Sequence, residues 1–269
     1  MKEWNRKIDL MRELVVKDLK IRYSRPSLGF FWAFLSPVFM VMIFYVVFGI
    51  ILKVKIENAP FVLYLMSGIF PWLFFQDSIL KSVTSLMDNR NLIKESNFPH
   101  WLIPLSIVSA NAINFLPSLF IVIIVSFIMV KGISGFIVLL PFILIIHVAF
   151  TAGLSIIVSL IYVKWRDFKY ILEPLLLLLF YLTPACYSLS VVKDSFHPFL
   201  FKLYAYNPLV GILTLYRITL LKGFVNTMVG YAGLSSVVII QFIFTILILM
   251  ASFYLYKRNR KYINDYLSY

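Results

Sequence analysis

The sequence predicts an all-α, polytopic membrane protein: six transmembrane helices, an N-terminal amphipathic helix, and short helices between the fifth and sixth spans. Three observations predict it. Hydrophobic residues make up 61% of the 269-residue chain, and the mean hydropathy is +0.91. Charged residues are only 14%, against roughly 25% in a soluble globular domain. Charge-free stretches recur at the length a bilayer crossing requires, about 20 residues.

The chain opens on a segment that alternates charged and apolar residues over 4–23. Trp4, Ile8, Met11, Val15 and Leu19 recur every third or fourth residue and share one helical face, while Arg6, Asp9, Arg12, Lys17 and Lys20 point elsewhere. One apolar stripe beside a basic face predicts an interfacial helix in residues 1–27, lying among lipid headgroups. The charge-free run SLGFFWAFLSPVFMVMIFYVVFGIIL follows and sets a first span at 28–52. Further apolar runs set spans at 61–84, 102–130, 134–162, 171–190 and 232–256, and residues 257–269 form a basic tail. With this topology 18 basic residues fall on the side of the termini and 7 on the other, Arg217 and Lys222 among the latter. That bias predicts cytoplasmic termini in the cytoplasmic (inner) membrane. It also accounts for the net charge of +13 without invoking nucleic acid.

The loops carry the remaining information. Residues 87–105 read MDNRNLIKESNFPHWLIPL. Asp88 or Asn89 can cap a short helix that Pro99 ends, leaving Leu92, Ile93 and Phe98 for a partner's groove. The loop VKWRDFKY at 163–170 is short and basic, with Trp165 and Tyr170 as interface anchors. The stretch 191–231 is apolar enough for two short helices, broken at Pro198 and at Asn207-Pro208, and suited to a lid over a pore.

No catalytic constellation emerges. Asp77, His147 and Glu173 are ionisable residues in or beside spans, each in a different span. There is no G-x-x-x-x-G-K-[ST] phosphate loop and no Cys/His cluster of metal-ligand spacing, and the single Cys186 permits no internal disulfide. Aromatic residues are in excess at 17%. A pore that passes sugar rings would gain from such flat faces; Tyr45 and Tyr181 are candidates for its wall.

Five segments, in order, resemble permeases of the type-2 ABC exporters that move polysaccharides such as O-antigen, capsule and teichoic acid. They are KDLKIRYSRPSLGFFWAFLSPV (17–38), SGIFPWLFFQDSI (67–79), IKESNFPHWLIPL (93–105), RDFKYILEPLLLLLFYLTPACYS (166–188) and YNPLVGIL (206–213). The chain departs from the pattern at YLTPACY, where Thr183 replaces the usual serine but keeps a hydroxyl. The resemblance implies one type-2 transmembrane domain over 1–269, acting as a homodimer with two copies of an ABC ATPase subunit. ATP and Mg would sit on that partner, with no cofactor on this chain. It implies a coupling helix at 88–98, with Leu92, Ile93 and Phe98 as anchors and Lys94 and Glu95 at the rim. Phe31, Trp32, Phe34, Tyr45, Phe180, Tyr181 and Tyr187 would line the channel. Arg22, Arg25, Arg166 and Lys169 would receive a polyprenyl-pyrophosphate head at the cytoplasmic entrance. Phe196, Phe199, Tyr206, Asn207 and Pro208 would gate the external mouth. Competing readings are a type-2 permease for a small lipid or drug, a membrane-embedded transferase, and a scaffold that docks through the 191–231 segment.

Overall fold

The computed structural model describes residues 2–23, 31–54, 56, 59–95, 99–130, 132, 134–222, 224 and 234–268. Among them there are helices and no strand. An N-terminal helix α1 (Lys2–Tyr23) precedes α2 (Trp32–Phe44), which widens into a π-helical turn at Tyr45–Ile51. Next come α3 (Phe61–Asp88), the six-residue α4 (Arg90–Glu95) and α5 (Leu102–Val130). A 3-10 turn (Gly135–Leu139) leads into α6 (Leu140–Lys164). After α7 (Phe168–Leu182) stand three short helices, α8 (Leu189–Ser195), α9 (Pro198–Ala205) and α10 (Pro208–Leu220). A long α11 (Leu234–Ser268) ends the chain. Among the described residues, four segments are long and apolar enough to cross a bilayer: Phe61–Asp88, Leu102–Val130, Gly135–Lys164 and Ser236–Arg260. Two shorter apolar ones, Leu35–Ile51 and Pro208–Leu220, accompany them.

Helix α3 is the axis of the bundle, packed by α5, α6, α10, α2 and α7. It can sit there because most of its polar residues find partners, the buried Ser82 hydroxyl being an exception among the described residues. Ser67, Ser78 and Ser85 donate to Tyr64 O, Phe74 O and Ser82 O at 2.9, 2.7 and 2.7 Å, the bonding that a waterless interior demands. Trp72, fully buried, donates to Gln76 Oε1 at 2.8 Å. Much of the aromatic excess is core. Phe74, Phe115, His147 and Tyr216 meet ring to ring, with His147 Nδ1 and Tyr216 Oη 3.3 Å apart.

The two ends of the bundle differ. At the end that holds the termini, Leu10, Met11 and Leu14 of α1 pack with Leu86, Ile93, Leu102 and Ile103, and with Tyr256 and Ile263 of α11. The packed face of α1 is therefore Leu10–Met11–Leu14, whereas Ile8 of the predicted stripe is exposed. The opposite end carries α8, α9 and the elbow at 183–188.

Two sequence expectations fail here. The predicted fifth span at 171–190 stops at Leu182, because Pro184 forces Thr183 out of helical geometry (φ −97°, ψ 142°). Its 15 residues reach about 22 Å, short of a bilayer core of about 30 Å. Among its described residues, the 191–231 stretch holds three helical pieces, α9, α10 and most of α8, rather than two. Pro198 and Pro208 do mark the breaks, each at a helix start behind a capping His197 or Asn207. The third, α10, is buried from Leu209 to Leu220 among α3, α6 and α11, so it is an internal wedge and no part of a surface lid.

Candidate functional site

A polar cleft of about 230 Å³ opens between α1, α2, α3 and α5, toward the end that holds the termini. Its lining includes Arg22, Tyr23, Trp32, Phe70, Asp77, Lys81, Asn111 and Asn114. Asn111 is the hub. Its Oδ1 accepts from Arg22 at 2.7 Å, Lys81 Nζ lies 3.5 Å away, and its Nδ2 donates to Ser78 Oγ at 3.1 Å. One turn on, Asn114 Oδ1 accepts from the Tyr23 hydroxyl at 2.6 Å. Burial raises the Tyr23 phenol above its ordinary 10, against the pull of Arg22, so the hydroxyl stays a neutral donor. Asn114 Nδ2 has no partner among the described residues.

Two cations face this cleft, each held by a carboxylate one helical turn away: Arg22 by Asp18 at 3.2 Å and Lys81 by Asp77 at 3.6 Å. Both pairs are partly exposed, so each contributes little to stability and its cation remains exchangeable. Cations, two amides and a phenol form a set that can receive an anionic or hydroxyl-rich headgroup, with Trp32 as an apolar wall.

Of the predicted entrance residues, Arg22 lines this cleft. Arg166 and Lys169 lie at the α6–α7 turn and are not among its lining, and Arg25 falls outside the described residues. Lys81, Asn111 and Asn114 were missed. The signal was available: two asparagines three residues apart in a 29-residue helix that is otherwise almost wholly apolar.

The predicted coupling segment lies beside the packed cluster at the same end. Lys17 Nζ donates to Asn89 Oδ1 at 3.2 Å, Asn89 Nδ2 donates to Ser85 O at 2.9 Å, and Asn89 O accepts from Ile93 N at 3.2 Å. Asn89 thus joins α1, α3 and α4. Ile93 is only 6% exposed and points into the chain's own cluster, with Leu92 half-buried beside it. Lys94 and Glu95 end α4, while Phe98 lies outside the described residues. His100, just before α5, stacks edge-on against Tyr256 of α11. Burial lowers its imidazole below the ordinary 6.5, and the charge of Arg260 pushes the same way.

The predicted channel residues divide. Phe31, Trp32, Tyr45 and Tyr181 are exposed, and Phe34 falls within α2. Phe180 is 5% exposed, wedged between Phe44 and Trp72 at centroid distances of 5.3 and 5.5 Å, and so belongs to the core. Tyr187 donates to Tyr181 O at 2.7 Å and shares a 3.0 Å hydrogen bond with Tyr204. Among the gate residues, Phe196, Phe199 and Tyr206 are exposed around α8 and α9. Asn207 instead accepts from Leu209 N at 3.0 Å, and with Pro208 it starts the buried α10.

Comparison with known proteins follows the same lines. The profile of the family described as "ABC-2 type transporter" matches residues 10–221. An O-antigen export system permease protein of Klebsiella pneumoniae is 33% identical over 241 residues, 88% of each chain. One from Myxococcus xanthus is 32% identical over 208 residues, 77% of this chain and 78% of its own. A polysialic acid transport protein of Escherichia coli is 27% identical over 79 residues, 29% of this chain and 31% of the relative. With this profile spanning the α1–α10 region and relatives matching along most of their length, the chain belongs to the ABC-2 type transporter family, as a multi-pass membrane transport subunit and not an enzyme.

Proposed function

We propose that this chain is the permease of an ATP-driven exporter that carries a lipid-linked polysaccharide outward across the cytoplasmic membrane. The observation that carries the reading is the 88% coverage by a relative named for O-antigen export. The cleft supports it: Arg22 and Lys81, with the Asn111 and Asn114 amides, suit the phosphates of a polyprenyl-linked headgroup. Entry there requires both termini on the cytoplasmic side, as the basic residues indicate.

In this reading two copies of the chain assemble with two ATPase subunits, which hold ATP and Mg. Ile93 seats α4 on the bundle, leaving Leu92, Lys94, Glu95 and Phe98 for the ATPase groove. ATP-driven closure then moves α4 together with the α1–α11 cluster as one body. The exposed aromatics Phe31, Trp32, Tyr45 and Tyr181 face the path between protomers, and α8 and α9 cover its outer mouth.

The test is to delete the gene and fractionate the long-chain glycan. Lipid-linked polymer retained inside, with a bare surface, supports the reading. Normal surface glycan with no internal build-up overturns it and leaves the small-lipid or drug permease. Arg22→Gln with Lys81→Gln should reproduce the retention while the protein still reaches the membrane.

A further inference from the structure

The charge distribution in the sequence places Arg217 in an extramembrane loop, but the fold buries it. It sits in α10 at 2% exposure, and no carboxylate among the described residues pairs with it. Its guanidinium carbon lies 3.6 Å from the centroid of the Tyr64 ring, and its Nη2 donates to Ala185 O at 3.0 Å. The Tyr64 hydroxyl donates to Tyr187 O at 2.6 Å. Helix α3 leaves room for this at Gly68. A Cβ there would stand 2.7 Å from Nη2 and 2.8 Å from Ala185 O.

These contacts answer a specific need. Where α7 breaks at Thr183-Pro184, the elbow carbonyls have no helical donor, and hydrocarbon offers no water to replace one. Arg217 and Tyr64 supply the donors from two other helices. A buried cation is an expensive way to do this, since methionine would fill the same space without burying a charge. What a side-chain donor provides is reversibility. It can exchange a carbonyl for water when the region opens, whereas a helical hydrogen bond is lost only by unwinding. Arg217 Nε has no partner among the described residues, so not all of its donor capacity is used in this arrangement.

We propose that Arg217 is a positioning residue for transport. It clamps the 183–188 elbow to α3 and so holds α8 and α9 in place, and it lets go of Ala185 O when that end of the bundle opens. The proposal rests on the export reading for what passes through, but its own readout does not. Cys186, the sole cysteine of the chain, lies next to Ala185 and is buried.

The experiment uses the full exporter with its ATPase in nanodiscs and measures how fast a membrane-impermeant maleimide labels Cys186. The wild type should label slowly at rest and faster during ATP turnover. Arg217→Met, folded and assembled, should label roughly tenfold faster at rest, as expected when one charge-assisted hydrogen bond is lost, and should no longer respond to ATP. Gly68→Ala keeps the arginine but wedges it off Ala185 O, and it should do the same. Resting labelling as slow as wild type in either folded variant, or a normal ATP response, overturns the clamp. A deletion strain with normal surface glycan would remove the export reading while leaving the labelling result to be judged alone.

Discussion

Asn111→Ala is the most direct probe of the cleft. The substitution removes one hydrogen bond to a charged donor, Arg22 at 2.7 Å, and one neutral bond to Ser78 at 3.1 Å. The 3.5 Å approach of Lys81 is too long to count. In water these two bonds would contribute about 2–4 kcal/mol. Polar contacts between membrane helices average nearer 0.6 kcal/mol, and the Arg22 side chain is 23% exposed, so about 2 kcal/mol is the working figure. The Ser78 bond ties α5 to α3; only the Arg22 bond ties α1 to α5, so about 1.5 kcal/mol of that energy bears on the docking of α1 and corresponds to roughly a tenfold shift in its opening equilibrium. Hydrogen exchange reads this directly: the amides at the C-terminal end of α1 should lose about tenfold in protection, while those of α3, packed by five other helices, change far less. Asn111→Asp gives a sharper contrast. A carboxylate there would hold Arg22 more firmly and keep α1 protected, yet it would repel a phosphate and lower headgroup binding. If exchange in α1 is the same in wild type and Asn111→Ala, Asn111 is not the hub described above.

Two further expectations concern other parts of the bundle. A Cβ on Gly153 would come 2.7 Å from Ile248 Cγ2 at the α6–α11 contact, so Gly153→Ala should cost about 1–3 kcal/mol and lower the thermal midpoint by several degrees; an unchanged midpoint would mean that α11 has slack there. His100 has a folded pKa below its unfolded value, so the unfolded chain takes up its proton first. The cluster with Tyr256 and Arg260 should be fully stable above about pH 6.5 and weaken as pH falls below it, a trend that proteolysis of α11 follows and His100→Phe should remove.

The sequence announced most of the bundle. Helices α3, α5, α6 and α11 each come from charge-free or nearly charge-free runs long enough to span, and α1 from its mixed periodicity. The misses have physical causes. Pro184 stands inside an apolar run, and hydropathy reads through a break that Thr183 shows only in its backbone angles. Ile93 was expected to face a partner because a six-residue helix has too short a pattern to show which side packs. Phe180 was assigned to a channel on aromatic character and family resemblance, neither of which distinguishes a pore wall from a core at a single residue. Arg217 misled for the best reason, since basic residues usually do mark loops, and only the fold shows Tyr64, Gly68 and Ala185 converging on it. In the cleft, Arg22 was legible as charge, whereas the asparagines that orient it and Tyr23 lie 89 and 91 residues further on.

The packing of Ile263 beside Ile93 has a consequence for biosynthesis. A chain is made from its N-terminus, so α4 leaves the ribosome long before the end of α11 exists to pack against it. The seat of α4 is therefore completed last, after the spans have been made. If α4 docks the ATPase as proposed, a partially translated chain would offer it an incomplete surface, and an ATPase that recognises the seated α4 would pass over it. On that coupling role, order of synthesis would guard against assembling an unfinished transporter.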